Sequence, residues 1–409
     1  MKNERNAGET VGEYWSGRGS LVDLVTELER QKESKIDFVA DCRSLSAIAT
    51  EEGTEDGSAP RMRIFPSNEG TQSTLIREFI GGDGVELGDS AFAQLCERSE
   101  PSIPVRYGRK LLAVNPFAAG TLAEETFCRS GNRRLFRCLD GRVRAVLSDQ
   151  YRIVDNYDLA FSALEAVQAA DGEVIEAALS ERSMKLKFTT RDIFDTLETT
   201  RSSGPSGGWY SGGLGSQEYL GKVGADTRGD LPGGSGTIHP IVTLSNSETG
   251  HGGIRVRLGI LQAVCFNIAT VETVVSEIHL GGRLDGGIFS EETRSTDSKA
   301  IFLKSRDAIR AAFDPKKFAA MVNRIRKSTE TPIEAPSAAV GIIAERLDLD
   351  EEKKTDLLEH FLGTYARTAF GLASALTRVA QDVADPERAE EFESFGGELM
   401  TKPELLTSV

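Results

Sequence analysis

The chain has 409 residues, 39% hydrophobic and 27% charged, with a formal net charge of −15. That length allows two or three domains with real cores, and the composition is that of a globular protein. No stretch approaches the roughly 18 apolar residues of a membrane-spanning helix, and the start, MKNERNAGETVGEYW, has no signal-peptide apolar segment.

Cys42, Cys96, Cys128, Cys138 and Cys265 are scattered and form no C-x-x-C pair, and His239, His251, His279 and His360 lack metal-ligand spacing. The expectation is a reduced, cytoplasmic protein with buried thiols, no metal and no cofactor. The charge is uneven. Residues 101–157 hold ten Lys/Arg and five Asp/Glu, a balance of +5, and residues 345–409 hold seven and fifteen, a balance of −8.

In chain order, residues 1–20 are polar and read as a disordered N-terminus. Residues 21–28 repeat Leu and Val at helical spacing and predict a short amphipathic helix within a mixed region, 21–100. An α+β core follows at 101–285. LFRCLDGRVRAVLS (135–148) predicts a β-hairpin turning at Asp140-Gly141. A helix starts near Asn156, a candidate N-cap, and stops at Gly172. GEVIEAALSERSMKLKFTT (172–190) predicts a second hairpin turning near 180–182, and 191–199 a short helix. Residues 203–236 are a Gly-rich insertion with twelve glycines in 34 positions. Strands follow in IHPIVTLSNSE and GIRVRLG, and the apolar run 260–275 is expected to be a helix. Residues 286–383 are expected to be helical, with helices at 297–325 and 354–383 and a Pro-marked linker at 331–339. Residues 384–409 read as a loose acidic tail. The fold class is α+β, a meandering antiparallel sheet backed by helices with a C-terminal helical region.

Catalytic patterns fail on inspection. Gly204-Pro205-Ser206-Gly207-Gly208 matches G-x-S-x-G, but both flanks are low-complexity rather than strand and helix. Gly221-Lys222 has Ser216 and Val223 where a phosphate loop needs Gly and Ser or Thr. No enzymatic activity is expected.

Three strands carry a cation-apolar-cation pattern: Arg142-Val143-Arg144, Lys185-Leu186-Lys187 and Arg255-Val256-Arg257. Alternation along a strand puts both cations on one face and the apolar residue on the other. If the three strands share a sheet, six cations line one face. Arg133, Arg134 and Arg137 precede the first doublet and Arg152 follows it, while Trp209 and Tyr210 offer stacking rings in the Gly-rich insertion. An ordinary half-exposed strand gives the same alternation without a ligand. Asn246, Ser247 and Glu248 end a strand before Gly250 and are either turn caps or a binding turn.

VRAVLSDQYRIVDNYDL (143–159) and TLSNSETGHGGIRVRLGILQAVCFNIA (243–269) resemble the signature blocks of a phage/plasmid-like family catalogued as domain of unknown function 932. IHLG (278–281) and TAFGLASALTRVAQD (368–382) resemble its His-x-Gly segment and closing helix, with Ser374 where Asn is usual. The resemblance implies a role in mobile-DNA biology and assigns no activity. The order of elements is also similar in topology to ring-forming single-strand annealing recombinases, an analogy of fold alone. The expected function is a homo-oligomeric single-stranded-DNA-binding protein, promoting annealing or recombination. The alternative is a decoy or inhibitor of a host defence or nucleic-acid enzyme that acts through its acidic surface, with the acidic C-terminus as the candidate contact for a protein partner.

Overall fold

The computed structural model describes residues 17–50, 60–67, 74–197, 236–263, 267–277, 291–383 and 385–406. Trp209 and Tyr210, Cys265, segment 278–281 and residues 1–16 lie outside the described residues.

Strand β1 (Gly17–Gly19) and helix α1 (Leu21–Ser34) come first. Ser20 starts α1 with a capping box: its hydroxyl accepts from the Asp23 amide, and the Asp23 carboxylate accepts from the Ser20 amide. The chain then builds a first sheet from β2 (Lys35–Asp41), β3 (Leu45–Thr50), β4 (Arg61–Pro66), β5 (Val85–Leu87), β6 (Arg133–Leu139) and β7 (Arg142–Ser148). The spatial order is β2-β6-β7-β5-β4-β3, antiparallel except for the β5/β7 pair. The β6–β7 hairpin turns where the sequence indicates: Asp140 and Gly141 have φ of 49° and 74°, left-handed values that Asp tolerates and Gly adopts freely. Helices α2 (Thr74–Ile80), α3 (Asp89–Arg98), α4 (Val105–Val114) and α5 (Pro116–Thr126) accompany this sheet. Ile64, Leu95, Phe127, Phe136 and Val146 form its core.

Helix α6 (Asn156–Gln168) leads into the second sheet, made of β8 (Gly172–Leu179), β9 (Met184–Thr190), β10 (Asp195–Thr196), β11 (Thr237–Asn246), β12 (Ile254–Gln262) and β13 (Ile268–Glu277). The order is β1-β8-β9-β11-β12-β13, antiparallel throughout, with β10 on β11. Helices α7 (Glu291–Ala312), α8 (Pro315–Glu330), α9 (Pro336–Arg346), α10 (Glu351–Thr364), α11 (Ala369–Gln381) and α12 (Pro386–Thr401) complete the chain. Leu186, Phe188, Val242, Leu244, Val256 and Ile260 join a core with Leu24 and Leu28 of α1, Leu159 and Ala163 of α6 and Ile309 of α7. Their alternation leaves Lys185, Lys187, Thr243, Ser245, Arg255 and Arg257 on the opposite face.

The α+β class holds, realised as two sheets with separate cores; the first sheet takes strands from both sides of residue 100. Several elements differ from the sequence expectation. The described residues of the run 260–275 form the end of β12 and most of β13, not a helix. Residues 267–270 are buried at four successive positions, which period alone does not separate from a buried helix, while Glu272, Thr273 and Val274 farther along β13 are exposed. Of the short helix expected at 191–199, the described residues 191–197 contain the two-residue β10 instead. The long helix at 297–325 is two, because Asp314 caps a new helix whose first residue is Pro315. The one at 354–383 is likewise divided, with Thr368 capping α11 through the Gly371 amide.

The largest difference is at the C-terminus. Residues 386–401, expected to be loose, form α12, and Phe392, Leu399 and Met400 are fully buried. Gly397 lets the helix lie on the β13 backbone: a Cβ there would fall 1.8 Å from the Thr270 carbonyl oxygen. The acidic composition of the segment masks Ala389, Phe392, Phe395 and Leu399, which recur at helical spacing.

Candidate functional site

The β11–β12 turn leaves the second sheet and enters the first. Gly250 allows it, with φ of 80°. Asn246 donates to the Val154 carbonyl (3.1 Å) and the Asn156 side chain (2.8 Å), and the Ser247 hydroxyl donates to the Arg182 carbonyl (2.6 Å). The Ser247 carbonyl accepts from the Tyr151 hydroxyl (2.9 Å), and the Thr249 carbonyl from Gln94 (2.6 Å).

Glu248 is the centre of this turn. Its carboxylate is 2.6 Å from both Lys35 Nζ and Arg144 Nη2, and it accepts from the Asn156 amide at 2.6 Å. Its carbonyl accepts from Arg137 Nη1 at 3.0 Å, and Arg137 also binds Asp37 (2.9 Å) and Asp155 (2.8 Å). Three cations therefore meet three carboxylates where the sheets join. Burial raises the Glu248 carboxyl, but Arg144, Lys35 and Arg137 outweigh it and hold it well below the usual carboxylate range. The side chains of Arg137 and Glu248 are closed to solvent, at 0% and 1% exposure. The arrangement ties the two sheets together and offers no open coordination position. Of the two sequence readings of Asn246, Ser247 and Glu248, these contacts are of the structural kind.

The three basic doublets do not share one sheet. Arg142 and Arg144 lie on β7 of the first sheet, where Arg142 pairs with Glu86 at 2.8 Å and Arg144 with Glu248. Arg133 is exposed and Arg134 half-buried on β6, and Arg152 is half-buried ahead of α6. The other two doublets do converge. Ser245 of β11 sits between Lys185 and Arg255, and Thr243 between Lys187 and Arg257, so four cations occupy two rows of one face.

That face is covered by α12. Glu390 contacts both Lys185 and Arg257, Glu393 binds Lys187 at 2.7 Å, and Glu387 approaches Arg182 at 3.8 Å. Lys187 has a second carboxylate, Glu176, at 3.3 Å. Sequence reasoning missed these acids. A usable signal exists: Glu387, Glu390 and Glu393 recur every three residues, which puts them on one side of a helix. Burial, then the neighbouring Lys187, push the Lys185 ammonium down to about 8 against the pull of Glu393 and Glu387.

α12 does not close the face completely. A cleft of about 280 Å³ remains between it and the ends of β9, β11 and β12, lined by Ser183, Lys185, Ser245, Ser247, His251, Arg255, Arg257, Glu387, Glu390 and Glu391 among others. Arg255 is exposed there and makes no ion pair among the described residues. Hydroxyls and the Arg255 guanidinium at the mouth, with further cations behind, offer donors to a phosphate or carboxylate, opposed by Glu387, Glu390 and Glu391 on the α12 side. Among the described residues no three His, Cys, Asp or Glu are grouped to hold a metal. Cys42, Cys96, Cys128 and Cys138 are buried in the first core, where burial pushes the Cys96 thiol up to about 11. No helix among the described residues is long and apolar enough to cross a membrane. Comparison with family models, with curated proteins and with solved structures returns no match to this chain.

Proposed function

We propose that the protein binds single-stranded nucleic acid through its phosphates at the cleft beside α12. The observation that carries this reading is the convergence of Lys185, Lys187, Arg255 and Arg257 on one face, with Arg255 left open at the mouth. A phosphate bound at Arg255 would compete with Glu390 for Arg257 and Lys185. Affinity is then set by the balance between the strand and the protein's own carboxylates. The resemblance of residues 143–159 and 243–269 to a phage/plasmid-like family supports a role in mobile-DNA biology and assigns no activity; strand annealing is proposed from the analogy of topology alone. Glu390 and Glu393 of α12 face inward onto these cations, which favours this reading over an acidic surface that captures a protein partner.

The test is a titration of a labelled oligonucleotide against salt. Single-strand binding weakens with a log–log slope of about −0.7 per phosphate contact. Arg255→Ala with Arg257→Ala should weaken binding of all sequences about equally and flatten the slope. Absence of binding at low salt, or binding indifferent to salt, would refute the reading.

A further inference from the structure

A different basic surface lies on the helices that accompany the first sheet. α4 reads VRYGRKLLAV and contains no acidic residue. Its inner side is short: Gly108 is buried against α3, where a Cβ would fall 2.8 Å from the Cys96 sulfur, and Leu111 and Leu112 pack on the first core. With 3.6 residues per turn, the opposite arc carries Arg106, Tyr107, Arg109, Lys110 and Val114, and all five are exposed. Tyr107 is 54% and Val114 76% exposed, and Phe117, in the first turn of α5, is 78% exposed. Among the described residues Arg106, Arg109 and Lys110 have no ion-pair partner. Nearby carboxylates are engaged elsewhere: Glu125 with Arg129 at 3.1 Å, Glu97 with Arg98 at 3.8 Å, and Glu100 with Asn132 at 2.8 Å.

Large apolar side chains are costly to leave in water, and three unpaired cations together repel one another. A chain of net charge −15 that keeps such a surface has a polyanion as its complement. The pattern selects among polyanions. A helix lying on an anionic membrane presents one continuous apolar face to the lipid. The apolar face of α4 is already used against the first core, and outside, Arg109, Arg106 and Lys110 form one cationic strip with Val114 and Tyr107 along its border, so no continuous apolar face is left for lipid. A cationic strip edged by the exposed rings of Tyr107 and Phe117 matches the phosphates and bases of a single strand.

We propose that α4 and the first turn of α5 form a second contact for single-stranded nucleic acid, with Arg106, Arg109 and Lys110 on phosphates and Tyr107 and Phe117 stacked on bases. The proposal rests on the nucleic-acid reading above, and it assigns base stacking to ordered aromatic side chains outside the Gly-rich insertion. α3 connects the two regions: its Ser90 hydroxyl is 3.0 Å from His251 at the cleft, and Cys96 on the same helix meets α4.

The experiment is fluorescence anisotropy of a labelled oligothymidylate with the full chain over a salt series. Arg106→Ala with Arg109→Ala and Lys110→Ala should lower affinity at least ten-fold and reduce the salt slope by about 2, since each lost phosphate contact removes about 0.7. Tyr107→Ala with Phe117→Ala should lower affinity by roughly ten-fold or more and leave the slope unchanged. These side chains are exposed, so the variants should melt with the wild type; if the triple variant melts early, Lys110→Glu alone should show the same loss. Wild-type affinity in these variants, with Arg255→Ala/Arg257→Ala weakened, overturns the α4 contact and leaves the cleft reading intact. No binding by the wild type overturns both. Co-sedimentation with phosphatidylserine vesicles, or a dimer seen by light scattering, that the α4 variants abolish without changing oligonucleotide affinity also overturns it.

Discussion

Lys187 and Glu393 stand 206 positions apart in the chain and 2.7 Å apart in space. Both are nearly closed to solvent, and Glu176 at 3.3 Å completes a buried triad. An isolated buried charge is far costlier than a paired one. The contact therefore fixes where α12 lies on the sheet.

Removing one partner should be worse than removing both. Glu393→Ala removes the shorter of the two carboxylate contacts of Lys187 and should lower unfolding free energy by about 3 kcal/mol in a urea titration. The pair Lys187→Met/Glu393→Leu should cost less than that single change. Equal or greater loss in the double variant would mean that the ion pair does not govern the docking of α12.

Glu248 gives an acid-side signature. Its carboxyl is depressed in the folded protein, so its stabilising contribution is present above the unfolded value of about 4.3 and is lost progressively as pH falls below it. Glu248→Gln should lose about 3–5 kcal/mol near neutral pH. The variant should also show a shallower fall of stability between pH 5 and pH 2 than the wild type. Parallel wild-type and variant curves across that range would contradict the assigned shift.

The glycines separate packing from propensity. Gly397→Ala puts a methyl group into the Thr270 carbonyl and should lower stability by about 3 kcal/mol. Gly341, in the middle of α9, has nothing within 4 Å of a built Cβ. Gly341→Ala should raise stability by about 0.5–1 kcal/mol through helix propensity alone. Thermal melts of the two variants should move in opposite directions.

The internal carboxylate competitor can be weakened directly. Glu390→Gln frees Lys185 and Arg257 of their shared partner. Oligonucleotide affinity should rise several-fold and the salt slope should steepen as two cations become available to phosphate. Unchanged binding in an otherwise folded variant would place the contact away from this face.

The amino-acid sequence alone determined the local devices. The Asp140-Gly141 turn, the 172–190 hairpin, the helix after Ser20 and the opposite facing of Lys185 and Leu186 all follow from periods of 2 and 3.6 and from turn chemistry acting over a few residues. The pairing of β9 and β12 across β11, which aligns Lys185 with Arg255 through Ser245, depends on strand order and was decided by the tertiary structure. So was the separation of Arg142 and Arg144 onto another sheet. The helix expected at 260–275 failed because residues 267–270, buried at successive positions, carry no alternation that would mark a strand. The acidic C-terminus became a packed helix because its carboxylates meet cations some 200 residues earlier, a complementarity that no local window contains. Charge patterns in the sequence state what a surface needs; only the folded chain decides whether the protein itself supplies it.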